Sequence, residues 1–180
     1  AATLAHAELL LNSDAGGAAL DDQGKPVVYA LQGAEKMYVD FHVTFTAPGG
    51  HSSRPSSDNA IYALARALDK VAAYRFPVHP SELTRAYFRV IGAMTPGEVG
   101  QAMLRFAEDP ADQAAIDRLA SMPEHVGQLG TTCVATMLEG GHAPNALPQR
   151  AMANINCRIF PGESLEGVQS ALERVIDDPR

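Results

Sequence analysis

From Met37 to Ala47 every second residue is apolar: Met37, Val39, Phe41, Val43, Phe45 and Ala47 alternate with Tyr38, Asp40, His42, Thr44 and Thr46. A side-chain period of two belongs to a strand with one buried and one wetted face, since a helix would scatter these residues around its axis. Such a strand needs partners for its backbone and a second layer over its apolar face. The chain must supply both.

The partners are visible further on. In Ala151 to Phe160 the residues Ala151, Ala153, Ile155, Cys157 and Ile159 face one way, and Met152, Asn154, Asn156 and Arg158 the other. Thr131 to Glu139 is β-rich, and the two runs read as a hairpin around residues 140 to 148. The covering layer is helical. Asp58 can cap a helix whose stripe is Ile61, Leu64, Ala65, Leu68, Val71 and Ala72, ending near Tyr74 ahead of Pro77 and Pro80. A second stripe, Leu165, Val168, Leu172, Val175 and Ile176, predicts a helix from Ser164 to about Asp177. Between them, Leu83 to Ile91 fits strand or helix. Thr95-Pro96-Gly97-Glu98 and Asp109-Pro110-Ala111-Asp112 each place a capping side chain before a proline, the start signal of a short helix.

Strand, helix, hairpin, helix is the order of an α+β two-layer sandwich, an antiparallel sheet with two main helices on one face. In ferredoxin-like βαββαβ terms the last strand is missing or lies past the end, and residues 95–129 form a helical insertion. Residues 1–34 stand apart. Leu9 to Leu11 and Val27 to Leu31 flank a polar, Gly-rich stretch, Asn12 to Gly17, and read as the edge of a second sheet. The expected division is 1–34 and 35–180.

At 180 residues and 46% hydrophobic content the chain can bury one ordinary core. A net charge of -7, with no Lys/Arg run and no RNA-recognition aromatic motif, argues against nucleic acid and an anionic membrane surface as partners. No apolar run reaches the length of a membrane span and no signal-peptide pattern opens the chain. The compartment stays open. Two cysteines, Cys133 and Cys157, lack zinc-knuckle spacing and are too few for a disulfide framework. They would lie nearly opposite one another across the hairpin, yet free buried thiols are the favoured expectation over a bridge.

Chemistry concentrates in two Gly-rich loops, Gly49-Gly50-His51-Ser52-Ser53-Arg54-Pro55 and Gly140-Gly141-His142-Ala143-Pro144-Asn145-Ala146-Leu147-Pro148. Each follows a strand and offers a polar side chain from a turn, so His51 and Asn145 are the first site candidates. The plainer readings are a turn histidine bonded to Ser52 or Ser53 and a turn asparagine before Pro148. A serine nucleophile beside His51 lacks the nucleophile-elbow motif.

These two loops, with Gly33-Ala34-Glu35-Lys36 before the first strand and Asn156-Cys157-Arg158-Ile159-Phe160-Pro161-Gly162 in the last, resemble the lid or dimerisation domain of M20 family zinc metallopeptidases, of carboxypeptidase or aminoacylase type. The likeness runs from about Ala7 to the C-terminus. It implies a lid inserted in a catalytic domain with two zinc ions, a homodimer, and hydrolysis of amide bonds in peptides or N-acyl amino acids.

It also implies roles. His51 matches a histidine that reaches the partner subunit's active site and stabilises the oxyanion, Asn145 and Arg158 match groups that bind the substrate's carboxyl end, and Asp14 sits where the family has an acidic zinc ligand. One carboxylate cannot hold zinc. The chain has no His-x-Asp, adjacent Glu pair or His-x-x-x-His, so the other ligands and the general base are expected elsewhere, and the isolated chain is expected to be inactive and metal-free. The alternative is a non-catalytic module that dimerises or binds a small anion.

Overall fold

The computed structural model describes residues 17–180, and Asp14 therefore lies outside the described residues. The chain divides into two compact units, Ala1–Glu35 and Lys36–Arg180. In the first, β1 (Gly17–Leu20) and β2 (Pro26–Ala30) form an antiparallel hairpin. Its turn is built on Asp21, whose Oδ1 accepts from the backbone N–H groups of Gln23 and Lys25.

The second unit has the predicted α+β architecture. Strand β3 (Met37–Thr46) leads through the two-residue β4 (Gly50–His51) to helix α1 (Ala60–Ala73). Four helices follow: α2 (Glu82–Met94), α3 (Gly97–Glu108), α4 (Gln113–Ala120) and α5 (Pro123–Leu129). The chain then returns through β5 (Thr132–Gly140), the short β6 (Ala146–Leu147), β7 (Arg150–Ile159) and α6 (Leu165–Ile176). Among the described residues the main sheet has three strands in the order β3-β7-β5, all antiparallel. No described helix is long and apolar enough to cross a membrane.

Period-two patterning decides which face is covered. Phe45, Ala151, Ala153, Ile155, Cys157 and Ile159 are buried against Ala63, Leu64, Ala67 and Val71 of α1 and Val168, Leu172 and Ile176 of α6. Both helices lie on that face. The polar partners, Tyr38, Asp40, His42 and Arg158, remain outside.

The segment 83–91, open from sequence, is helix α2, so the helical stretch begins at Glu82 rather than at Thr95. It has its own core of Phe88, Met103, Phe106, Leu119 and Leu129. Cap positions differ from expectation in three places. Asn59, not Asp58, caps α1, its Oδ1 accepting from Ile61 and Tyr62, while Asp58 pairs with Arg180 at 3.1 Å. Pro96 stands at the start of α3 with no side-chain cap, because the Thr95 hydroxyl donates backwards to the Ile91 carbonyl. Asp112 rather than Asp109 caps α4.

Cys133 and Cys157 are joined in a disulfide, which corrects the expectation of free thiols. They are directly paired in the β5–β7 register with Cα atoms 4.1 Å apart and both side chains on the core face, which brings the two sulfurs within bonding reach. Counting cysteines could not reveal this. The register did.

Candidate functional site

His51 and Asn145 are brought together by the pairing of β4 with β6. Gly50 lies opposite Leu147 and His51 opposite Ala146, and the Ser52 backbone N–H donates to the Asn145 carbonyl at 3.0 Å. The entry to this pairing needs glycine at position 49. Its φ is +79°, and a Cβ there would lie 2.5 Å from Cγ of Gln149. Both loops therefore close at one end of the main sheet, where Thr46 pairs with Arg150 and Gly140 with Ala151.

The imidazole of His51 is exposed and its tautomer is set locally. The Ser53 backbone N–H donates to Nδ1 at 3.2 Å, with the Ser53 hydroxyl 2.9 Å from the same atom. A nitrogen that accepts carries no proton, so the neutral ring holds its hydrogen on Nε2, which makes no hydrogen bond among the described residues. The bond to Ser53 expected of a plain turn histidine thus also leaves an N–H donor available. Asn145 is exposed, and among the described residues its side chain makes no hydrogen bond.

Arg158 is elsewhere. It pairs with Tyr38 on β3 and Thr132 on β5, at the far end of the sheet from the loops. Arg150 and Arg158 are eight positions apart on β7, and at about 3.3 Å per residue the two ends are separated by roughly 26 Å. His51 and Asn145 form one constellation; Arg158 belongs to another.

Around Arg158 stand residues the sequence did not single out. Its guanidinium lies 4.7 Å over the ring of Tyr38. The Tyr38 hydroxyl donates to Asp40 at 2.8 Å, and the other Asp40 oxygen accepts from Asn154 and Asn156, each at 2.9 Å. Hydrogen bonds from Asn156, Asn154 and Tyr38 hold the Asp40 carboxyl below its usual range, and the bond to Asp40 raises the Tyr38 hydroxyl. Lys36 is fixed at the same end, its Nζ donating to the carbonyls of Gly127 and Gly130 and to the Thr132 hydroxyl. Burial brings Lys36 down to about 8, with Arg158 adding to the fall and Glu163 opposing it. Tyr38, Asp40, Asn154 and Asn156 are polar members of the alternating strands, and Lys36 immediately precedes β3. Only a known register would have gathered them.

A metal centre does not form from the residues seen. Among the described residues no group of three or more His, Cys, Asp and Glu side chains could hold an ion. His142 is exposed in its loop.

Comparison with known proteins gives the chain relatives and a family. The chain is 32% identical over 148 residues to a probable carboxypeptidase S-like 2 from Dictyostelium discoideum, covering 81% of this chain and 28% of the relative. It is 26% identical over 150 residues to the N-fatty-acyl-amino acid synthase/hydrolase PM20D1.1 of Danio rerio, covering 82% of this chain and 28% of that protein. It is 24% identical over 180 residues to human PM20D1, described in the same words, covering 93% and 34%. The chain thus spans about a third or less of the length of these relatives. A crystal structure of an M20 family metallo-carboxypeptidase from Sulfolobus solfataricus aligns with a TM-score of 0.45 at 18% identity, over 89% of this chain and 44% of that one. The family model described as the peptidase dimerisation domain of M20 enzymes matches residues 33–179, and on that match the chain belongs to the M20 peptidase dimerisation domain family.

Proposed function

We propose that this chain is the lid and dimerisation part of a metal-dependent peptidase or amidohydrolase that cleaves amide bonds of peptides or N-acyl amino acids. The observation that carries the reading is the His51 loop. An exposed imidazole whose Nδ1 is occupied by the Ser53 N–H keeps its Nε2–H free to donate to an oxyanion. Asn145, held alongside, is the proposed partner of the substrate's carboxyl or carbonyl end, and Arg158 of its carboxylate.

The separation of the two constellations supports a shared site. A single amino-acid-sized substrate cannot reach both ends of a sheet roughly 26 Å long. Two copies resolve this: His51 and Asn145 of one act on a substrate whose carboxylate meets Arg158 of the other. The edge strand β5, with Val134, Met137 and Leu138 open to solvent, and the exposed Ile61 and Tyr62 of α1 are the surfaces proposed to join the copies.

Since the described residues do not form a metal site, the two zinc ions are assigned to a catalytic domain elsewhere in the protein, with Asp14 as the one ligand this chain would add. Residues 1–34 are proposed to be the edge of that domain and 35–180 the lid. The isolated chain is then inactive. Assaying the full-length protein and this chain separately against N-acyl amino acids and dipeptides tests the reading: turnover is expected only from the full-length protein, and turnover by the chain alone would overturn it.

A further inference from the structure

Arg158 has an unusual local environment for an arginine on an open strand face. Among the described residues its side chain makes no hydrogen bond and no ion pair, although Asp40 sits on the same face one row away. That carboxylate is already saturated. One oxygen accepts from the Tyr38 hydroxyl and the other from both Asn154 and Asn156, with Asn154 also donating to the Thr136 hydroxyl at 2.9 Å.

The arrangement fixes an aromatic plane beneath a cation. Tyr38 is 57% exposed, so burial does not explain its ring; its orientation is set by the hydroxyl's bond to Asp40. The guanidinium carbon lies 4.7 Å from the ring centroid, so the cation sits over one face of the ring, and its N–H donors have no partner among the described residues. Lys36 adds positive charge nearby, and its own donors are spent on the chain. A guanidinium held in place with its planar fork of donors unspent fits a planar bidentate acceptor.

We infer that Tyr38 is a positioning residue that holds Arg158 ready for a ligand carboxylate, with Asp40, Asn154 and Asn156 as the frame that holds Tyr38. The inference rests on the reading of Arg158 given above and adds the residues that hold its side chain in place. Pre-aiming lowers the ordering cost of binding, so Tyr38 acts on ground-state affinity.

The test uses the full-length enzyme and whichever of N-acetyl-L-leucine, N-dodecanoyl-L-leucine and Leu-Leu it hydrolyses fastest. Arg158→Ala is expected to raise KM about tenfold with kcat little changed. Tyr38→Leu should raise KM about fivefold, the loss of one cation–π contact, and Tyr38→Phe, which keeps the ring but loses the bond to Asp40, should fall between Tyr38→Leu and the parent. The double variant Tyr38→Leu/Arg158→Ala should be no worse than Arg158→Ala alone. An unchanged KM in Arg158→Ala, or no hydrolysis of any probe by the parent enzyme, overturns the reading of Arg158 and this inference with it. If Arg158→Ala raises KM but Tyr38→Leu does not, or the two effects add, the reading stands and the role of Tyr38 falls.

Discussion

His51 and Arg158 lie toward opposite ends of the three-stranded sheet, the first in the separate β4–β6 pairing opposite Ala146, the second within the sheet in the row of Tyr38 and Thr132. If one catalytic centre uses both, they come from different copies of the chain.

Mixed dimers make this measurable. A full-length subunit carrying His51→Ala and one carrying Arg158→Ala are each expected to be poorly active alone. Mixed, half of the centres in the heterodimer regain an intact His51 and an intact Arg158, so activity should rise well above either parent. No recovery on mixing would place both residues in one copy's contribution.

For His51 itself the effect is expected on turnover. His51→Ala in the full-length enzyme should lower kcat about 100-fold with KM within about threefold, because a donor aimed at developing charge matters most in the transition state. Steady-state kinetics on one substrate decide it, and an unchanged kcat removes His51 from catalysis.

The Cys133–Cys157 bridge spans a sequence separation of 24 and closes a loop of that order in the unfolded chain. Replacing both residues with alanine should cost about 3 kcal/mol of stability by the chain-entropy account. Urea unfolding of the oxidised protein and the double variant measures this, and a thiol assay on the denatured parent should find no free cysteine without reductant.

Helices α2 and α3 meet at glycines. A Cβ on Gly100 would lie 1.9 Å from the Thr95 carbonyl oxygen and 2.8 Å from that of Gly92. Backbone atoms cannot turn aside as side chains do, so Gly100→Ala should destabilise the helical segment by about 2 kcal/mol or more. Hydrogen exchange should show the loss in α2 and α3 before it reaches β7.

Lys36 gives a pH dependence of defined sign. Its folded value of about 8 is below the ordinary 10.5, so the unfolded chain binds more protons between these values and this group's contribution to stability rises with pH across that window. Relative to Lys36→Met, the parent protein should gain stability from pH 7 to pH 10. A constant difference in urea midpoints would show that Lys36 does not titrate there.

The sheet faces and the two covering helices were legible because β3, β7, α1 and α6 each carry a single period. Helix α2 was not, since it is apolar on two sides. Phe88 and Ile91 turn inward while Leu83, Tyr87, Val90 and Met94 are exposed, and no one spacing describes both sets. The α1 cap was misplaced by one residue because Asp58 and Asn59 are both competent, and the competitor for Asp58 is Arg180 at the other end of the chain. His51 and Asn145 could be picked out as loop residues, but their meeting depends on the β4–β6 pairing. Tyr38 and Asp40 looked like ordinary polar positions until the register set them beside Arg158 and Asn156.

The covalent tie between β5 and β7 sits one residue before Arg158. Were β5 to slide by a single step along β7, its own side chains would turn over, sending the Thr132 hydroxyl beside Arg158 into oil and a sulfur into water. By pinning the two threads at that point, the bridge works as an indexing stop: the face that greets a ligand cannot be dealt wrongly, however the outer strand breathes.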